Sequence, residues 1–600
     1  MIRVADYIIK KIAEENVGHI FYVPGGQCVY LMDALRRSKD VEAIGVHHEQ
    51  SAAMAALSYS LMNEKMGACI VTTGCAGTNT MTGLLHAWQD SIPCIFVSGQ
   101  QNYEHTIVAS GLPLRQVGVQ EANIVELVRP ITKYAAMLHD SQKVCYEVEK
   151  AICLAKQGRK GPVWLDVPLN IQNAMIDEEK LVHYSADNEK LPQATDEEIQ
   201  SVVKLLNNAK RPVMIVGHGV RSASAVGELK ELLKETSIPA VFTRFSDDIL
   251  ADNHEMNFGV VGAAGANREA NFIVQNADLV LSVGCRLSID TTGPQVEAFA
   301  REANIIVVDI DEVEHSKKGV RIDKFVHSDA KYFLQRLKQN KVQGASYEWI
   351  EKCNHWKKIF VPFSEDNVSK ESIDLKYFLR KLSDYFPEHS VILSDAGMTG
   401  VATVAGCRFK ETDRLIHSFA QGEMGFVLPG ALGAAASCDG MVFAITGDGS
   451  VMMNLQELQT VVRNHFNIKL IIINNNGYSG VRHGQKAHFR GKSIGTDPSN
   501  GLDFPDYGKV ATAFGIDYYK ISCFDEIEEG IKKTIERNKP FVLEVMCDPK
   551  QFDLHNALVT YGKRKFGFRP IEDQSPFIER DVFFEEMIVK PMETSYGEPV

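Results

Sequence analysis

The chain has 600 residues, 45% of them hydrophobic and 24% charged, the balance of an ordinary globular protein rather than a disordered or fibrous one. That length exceeds what one hydrophobic core sustains, so roughly three or four domains are expected. The net charge of −13 comes without long acidic or basic runs, which argues against a nucleic-acid partner. No stretch nears the roughly 18 consecutive apolar residues of a membrane span.

In chain order, MIRVADYIIKKIAEEN reads as an amphipathic helix without the apolar core and cleavage site of a signal peptide. The first strand-like runs follow: HIFYVPGG (19–26), VEAIGVHHE (41–49), ACIVTTG (68–74), PCIFVSG (93–99) and GPVWLDVP (161–168). Short β-branched runs alternating with helix-length segments build a parallel sheet covered on both faces, and these predict a domain over 1–170. A polar connector leads to PVMIVGHG (212–219), ADLVLSVGCR (277–286) and NIIVVDID (304–311), a middle domain over 190–340. A second charged connector precedes SVILSDAG (390–397), MVFAITGDGS (441–450), IKLIIINNNG (468–477) and PFVLEVMCD (540–548), a third domain over 370–550. The expected fold class is therefore α/β, with three doubly wound parallel-sheet domains. Residues 551–600 lack a clear period and are expected as a tail over the surface, with GKRKFGFRP (562–570) as a candidate lid. The 12 cysteines contain no C-x-x-C pair and fit neither a zinc site nor a secreted disulfide framework. Buried thiols and a cytoplasmic location are expected.

The chemistry concentrates in the third domain. MVFAITGDGS is a strand ending in Gly447, Asp448, Gly449 and Ser450, and NLQELQTVVRNH beyond it has helical periodicity, so the glycine turn is expected to join strand to helix. Glycines let a phosphate approach the outward N–H groups of such a junction. The next strand ends in three asparagines followed by Gly477 and Tyr478, and parallel strands bring both clusters to one sheet edge. Mg²⁺ takes hard oxygen ligands, keeps waters and bridges a carboxylate to phosphates. Asp448, the Asn475 amide oxygen and the Gly477 carbonyl would supply such a set. Each motif alone is more often a turn; the two at this spacing form the signature of thiamine diphosphate enzymes.

Given that signature, residues 1–550 resemble the acetolactate synthase-like family, in the manner of its large catalytic subunit. FYVPGGQCVYLMDAL, with Gly25 and Gly26, resembles the first cofactor motif. HHEQSAAMAA resembles the segment carrying the activating glutamate, here Glu49, which in the family hydrogen-bonds the aminopyrimidine ring of the cofactor. RQVGVQEANIVELV resembles the substrate-site segment and implies Gln120. QGEMGFVLPGALGAA resembles the motif whose apolar residue wedges between the two cofactor rings, here Met424. The resemblance implies thiamine diphosphate and Mg²⁺, and a homodimer or homotetramer with its active site at the subunit interface. It also implies an FAD site in the middle domain around Arg159, VGHG, VGCR and VVDIDE. RLSID (286–290), however, places Ser288 and Asp290 where the family has Asp and Arg, so flavin binding stays open.

The implied activity is decarboxylation of a pyruvate-like 2-keto acid with transfer of the acyl unit to an acceptor carbonyl. Val119 replaces a family phenylalanine, and YSGVRHGQKAHFRGK (478–492) offers Arg482, His483 and Lys486 where the family has a tryptophan. Those departures keep open an acceptor such as a nucleotide-linked keto-sugar of surface polysaccharide biosynthesis. Simple decarboxylation also stays open. A non-catalytic binding subunit is disfavoured by the retained Glu49, Asp448 and Asn475.

Overall fold

Strands such as Cys94–Gln100, Val163–Pro168, Pro212–Val216 and Leu279–Val283 are buried along their whole length, which only a sheet covered on both faces allows. The computed structural model describes residues 1–186, 190–361, 370–551, 554–563 and 565–599. It contains three six-stranded parallel sheets.

In the N-terminal domain, helix α1 (Val4–Glu14) buries Val4, Tyr7, Ile8 and Ile12, one face at helical spacing. The sheet comprises β1 (His19–Tyr22), β2 (Glu42–Gly45), β3 (Gly67–Val71), β4 (Cys94–Gln100), β5 (Tyr134–Met137) and β6 (Val163–Pro168), in the order β2-β1-β3-β4-β6-β5. Helix α2 (Glu49–Asn63) follows β2, and α3 (Met81–Gln89) runs between β3 and β4. The central domain orders β7 (Pro212–Val216), β8 (Ala240–Phe242), β9 (Asn257–Val260), β10 (Leu279–Val283), β11 (Asn304–Asp309) and β12 (Lys324–His327) as β9-β8-β7-β10-β11-β12.

The C-terminal domain has β13 (Val391–Ser394), β14 (Arg414–His417), β15 (Val442–Gly447), β16 (Ile468–Asn474), β17 (Asp517–Ile521) and β18 (Phe541–Met546), in the order β14-β13-β15-β16-β18-β17. That is the strand order of the N-terminal domain repeated. Helix α4 (Val427–Ala435) follows β14 as α2 follows β2, and the two matching helices pack on each other in one shared core. Helix α2 is buried without interruption from Ser51 to Leu61, as expected of a helix covered on all sides. A Cβ on Gly433 of α4 would stand 2.0 Å from the Ala55 carbonyl oxygen of α2. Only glycine lets the two backbones come this close.

The tail is more integrated than a chain laid over a surface. Strands β19 (Leu558–Tyr561), β20 (Lys565–Phe568) and β21 (Glu598–Pro599) form an antiparallel sheet, and a short helix, Arg580–Glu586, puts Phe583 into the central-domain core beside Phe272. Burying Phe583 contributes about 1.5–3 kcal/mol. Asn271 donates to the Ile571 carbonyl at 2.9 Å, and Trp356 Nε1 donates to Glu586 at 2.8 Å. Within the candidate lid, Arg569 turns inward to the Gly597 carbonyl, while Arg564 lies outside the described residues. All 12 cysteines are free thiols; eight are buried, but Cys75 and Cys523 are exposed, contrary to expectation.

Gly433→Val should lower stability by about 1–3 kcal/mol through overpacking of the α2–α4 contact, read by urea denaturation. Gly227→Ala, at an exposed helical glycine with open space around it, should leave stability unchanged or slightly raised.

Candidate active site

Asp448 begins at the end of β15, where the sheet order reverses between β13 and β15, the place at which open α/β sheets form a crevice. Its Oδ1 accepts the Gly449 N–H at 2.8 Å and its Oδ2 the Gly477 N–H at 2.9 Å, so the carboxylate ties the two polar clusters together. Burial pushes its carboxyl up to about 6 despite those N–H groups. The Tyr507 hydroxyl donates to the Asp448 carbonyl at 2.5 Å. A Cβ on Gly449 would meet the Tyr478 ring at 2.0 Å, so the turn is closed down on that ring.

The helix expected right after this turn is broken. A single turn, Asp448–Val451, is followed by a 3₁₀ turn, Leu455–Glu457, and only then by helix Leu458–Arg463. Asn454 interrupts it: its side chain donates to the Gly425 carbonyl at 2.8 Å and accepts from Ser51 Oγ at 3.1 Å. Those tertiary bonds outweigh local helical preference.

The asparagine loop is fastened from below. Arg482 is buried and donates to the carbonyls of Asn476 (2.8 Å), Asn475 (3.1 Å) and Pro549 (2.9 Å). Arg482 therefore serves the loop and does not face an acceptor, as its sequence position had suggested; His483 and Lys486 remain exposed. The Asn475 side chain makes no hydrogen bond among the described residues.

Met424 is half-buried between two anchored neighbours. Gly425 N–H donates to Ser450 Oγ at 2.7 Å, joining the wedge position to the GDGS turn. Glu423 is held by His86 and Ser418.

The remaining candidates lie on the N-terminal domain. Glu49 opens α2 and accepts from Asn79 Nδ2 at 2.9 Å. Gly25 packs against Thr72, where a Cβ would stand 2.4 Å from Cγ2, whereas Gly26 borders open space. Gln120 is exposed with φ +61°, and its carbonyl occupies the space a Cβ on Gly74 would need. Its loop is pinned by Glu121, which accepts from Ile107 N–H at 2.7 Å and Val117 N–H at 3.0 Å. Sequence reasoning passed over Glu121, Tyr507 and His86, none of which carries a local signature, and gave Arg482 an acceptor-facing role in place of its loop-fastening one. Within one chain, no hydrogen bond or ion pair joins Glu49 or Gln120 to Asp448, Asn475 or Gly477.

A cavity of about 400 Å³ opens in the central domain at the reversal between β7 and β10, lined by Gly217, His218, Gly284, Arg286 and Asp309. Arg159 at its rim is paired at 2.8 Å with both Asp311 and Glu314. Lys317 and Arg159 hold Glu314 at about 2, against the upward push of burial. Asp290, in the RLSID segment, pairs with Arg244 at 2.7 Å. Among the described residues there is no cluster of three or more His, Cys, Asp or Glu able to hold a metal, and no helix is long and apolar enough to cross a membrane.

Two copies of one sheet order, a central domain between them and a GDGS turn tied to an NNNGY loop define the class. Family models for the N-terminal TPP binding domain, the central domain and the C-terminal TPP binding domain of thiamine pyrophosphate enzymes match residues 2–126, 199–337 and 395–545. The chain is a thiamine diphosphate-dependent enzyme. It is 30% identical over 572 residues to a probable acetolactate synthase large subunit of Methanococcus aeolicus, covering 91% of this chain and 92% of that one. It is 31% identical over 545 residues to the acetolactate synthase isozyme 2 large subunit of Escherichia coli, covering 91% and 95%. With the acetolactate synthase large subunit of Corynebacterium glutamicum the identity is 31% over 552 residues, covering 90% and 86%. The chain belongs to the acetolactate synthase family of these enzymes, and the activity class it shares with them is thiamine-dependent carboligation.

Arg482→Ala should weaken thiamine diphosphate affinity by roughly 10–100-fold by freeing the asparagine loop, equivalent to about 1.4–2.8 kcal/mol. Arg482→Lys should recover only part of it, since an ammonium cannot reproduce the planar fork. Calorimetric titration of the cofactor in the presence of Mg²⁺ checks both.

Proposed function

We propose that this enzyme decarboxylates a pyruvate-like 2-keto acid and joins the remaining acyl unit to an acceptor carbonyl. The observation that carries the reading is the single buried carboxylate of Asp448, held between the GDGS turn and the asparagine loop at a sheet reversal. Mg²⁺ fits there: one carboxylate, the unengaged Asn475 amide oxygen and the Gly477 carbonyl leave positions for water and phosphate oxygens. Gly447, Gly449 and Ser450 would hold the diphosphate, with Gly25, Gly26 and Tyr478 completing the cofactor site. When bound, thiamine diphosphate supplies the electron sink that loss of carbon dioxide requires.

The chain's own groups do the rest. Glu49 would accept a hydrogen bond from the cofactor's aminopyrimidine and serve its proton transfers, Met424 would support the cofactor as an apolar wedge, and Gln120 would orient the substrate carbonyl. In a single chain no hydrogen bond or ion pair among the described residues joins Glu49 to Asp448, and its neighbours Ser51 Oγ and the Gln50 side chain engage Asn454 instead. We therefore assign the working site to a homodimer or homotetramer, Glu49 and Gln120 coming from one copy and Asp448, Asn475, Gly477 and Met424 from another. The central cavity is the place for FAD, its crevice at a sheet reversal being of the kind that takes dinucleotides. Its rim arginine is already paired with acidic side chains, so the diphosphate of a flavin would compete with Glu314. Flavin absorbance of the purified protein tests this directly.

A larger acceptor, such as a nucleotide-linked keto-sugar, is favoured by one observation: Val119 is 75% exposed, and His483 and Lys486 are exposed as well, so none of the three is packed away as a close pocket wall would be. Labelled pyruvate, supplied with and without keto-acid and keto-sugar acceptors, decides between the two by mass spectrometry. Labelled acetolactate supports the first reading, and label joined only to the sugar supports the second. Labelled acetaldehyde alone would overturn carboligation.

Glu49→Gln should leave cofactor affinity within a few-fold of wild type while lowering kcat by roughly 10²–10⁴-fold. Asp448→Asn should instead abolish Mg²⁺-dependent cofactor binding. Calorimetry and initial rates on the two variants separate these outcomes.

A further inference from the structure

Among the buried groups that the reaction does not use, one cluster lies next to the wedge. His86 on α3 is fully buried, and both of its ring nitrogens lie close to carboxylates, Nδ1 in a hydrogen bond and Nε2 without one. Nδ1 is 2.7 Å from Glu423 Oε1 and Nε2 is 3.1 Å from Asp90 Oδ2. Burial alone would lower the imidazole's affinity for a proton, but Glu423 and Asp90 outweigh it and lift the pKa to about 10. The ring meets Phe426 edge to face at 4.9 Å. A histidine that only filled the core would need one polar partner; this one spends two buried carboxylates.

What the cluster holds is the segment carrying Met424. Gly422 and Gly425 both have left-handed backbone, at φ +62° and +84°, so the residues between them, Glu423 and Met424, depend on side-chain anchors for their position. Downstream, Gly425 is tied to Ser450 and Asn454. Upstream, Glu423 is held by His86 from the N-terminal domain and by Ser418 from its own loop. Asp90 extends the grip by accepting the N–H groups of Phe419 and Ala420 at 3.4 and 3.3 Å. Other titratable groups nearby are Asp395, on which Glu423 acts, and His417, on which Asp90 and His86 act.

We propose that His86 is a positioning residue: by gripping Glu423 across the domain boundary it fixes Met424 and hence the ring angle of the bound cofactor. This rests on the assignment of Met424 as the wedge. A loosened wedge leaves the cofactor bound but poorly aligned, and a misplacement of about 1 Å costs on the order of 100-fold in rate.

The test uses the full-length enzyme with thiamine diphosphate and Mg²⁺, and reads exchange of the thiazolium C2 proton for deuterium, kcat, cofactor affinity and thermal midpoint. His86→Leu, which removes the grip, should slow exchange and kcat by roughly 10–100-fold with cofactor affinity within a few-fold of wild type. His86→Asn, which returns an amide nitrogen near the place of Nδ1, should recover most of that loss. Should His86→Leu alone fail to fold, His86→Leu/Glu423→Gln removes the unpaired charge and should fold yet remain slow. Exchange at the wild-type rate in any folded variant lacking the grip, or a lowered thermal midpoint with undiminished kcat, overturns the proposal. If Met424→Ala in the same assay leaves exchange and kcat at wild-type values, the wedge assignment itself fails, and the proposal falls with it.

Discussion

The crossing of α2 and α4 is the constraint on which the rest of the structure depends. Because Gly433 lets α4 approach the Ala55 carbonyl directly, the two domains of like topology share one core. Each helix begins beside a candidate functional residue: Glu49 opens α2, and Met424 lies just ahead of α4. The backbone contact thus also fixes the spacing between Glu49 on one domain and Met424 on the other within one chain. Ser51, Gln50 and Asn454 add polar braces at the same seam. Buried hydrogen bonds of this kind are costly to leave half made, so they specify one register.

A second brace ties in the central domain. Asp248 accepts from Arg221 at 3.0 Å and from Arg414 at the edge of the C-terminal sheet at 2.9 Å. Although burial opposes its charge, the two guanidinium groups hold its carboxyl below the usual range. Its folded affinity for a proton is lowered, so this contribution is present above the unfolded carboxyl pKa and is lost as pH falls through the lower folded value. The central cavity is therefore mounted on a frame continuous with the catalytic domains: Phe419 belongs both to its wall and to the loop leading to Met424, and Asp90, also in the wall, accepts that loop's N–H groups.

The parts of the site that are local in sequence were legible there. GDGS and NNNGY announce themselves because each is a strand followed by small polar residues, and the parallel sheet guarantees that both strand ends reach one edge. What escaped notice depends on partners distant in the chain. His86 and Glu423 are 337 positions apart, and a lone histidine in an apolar helix carries no sign of two carboxylates waiting for it. Arg482 looked like a group for an acceptor because its neighbours are polar; only the tertiary structure shows it turned toward three carbonyls. The broken helix after Asp448 and the tail's entry into the central core failed for the same reason. Asn454 and Phe583 take positions that local periodicity does not encode, because the bonds or burial they gain elsewhere exceed a few tenths of a kcal/mol of helical preference.

The same distinction bears on specificity. Asp448, Gly477 and Arg482 are buried and bonded within the two polar clusters, so a substitution there disturbs several contacts at once. Val119, His483 and Lys486 are exposed. A substitution at an exposed position disturbs fewer contacts, so an acceptor preference carried by exposed residues can change more readily than the buried cofactor machinery. That is why the thiamine chemistry follows from the fold and the GDGS–NNNGY pairing, whereas the choice of acceptor has to be read from the side chains that face solvent.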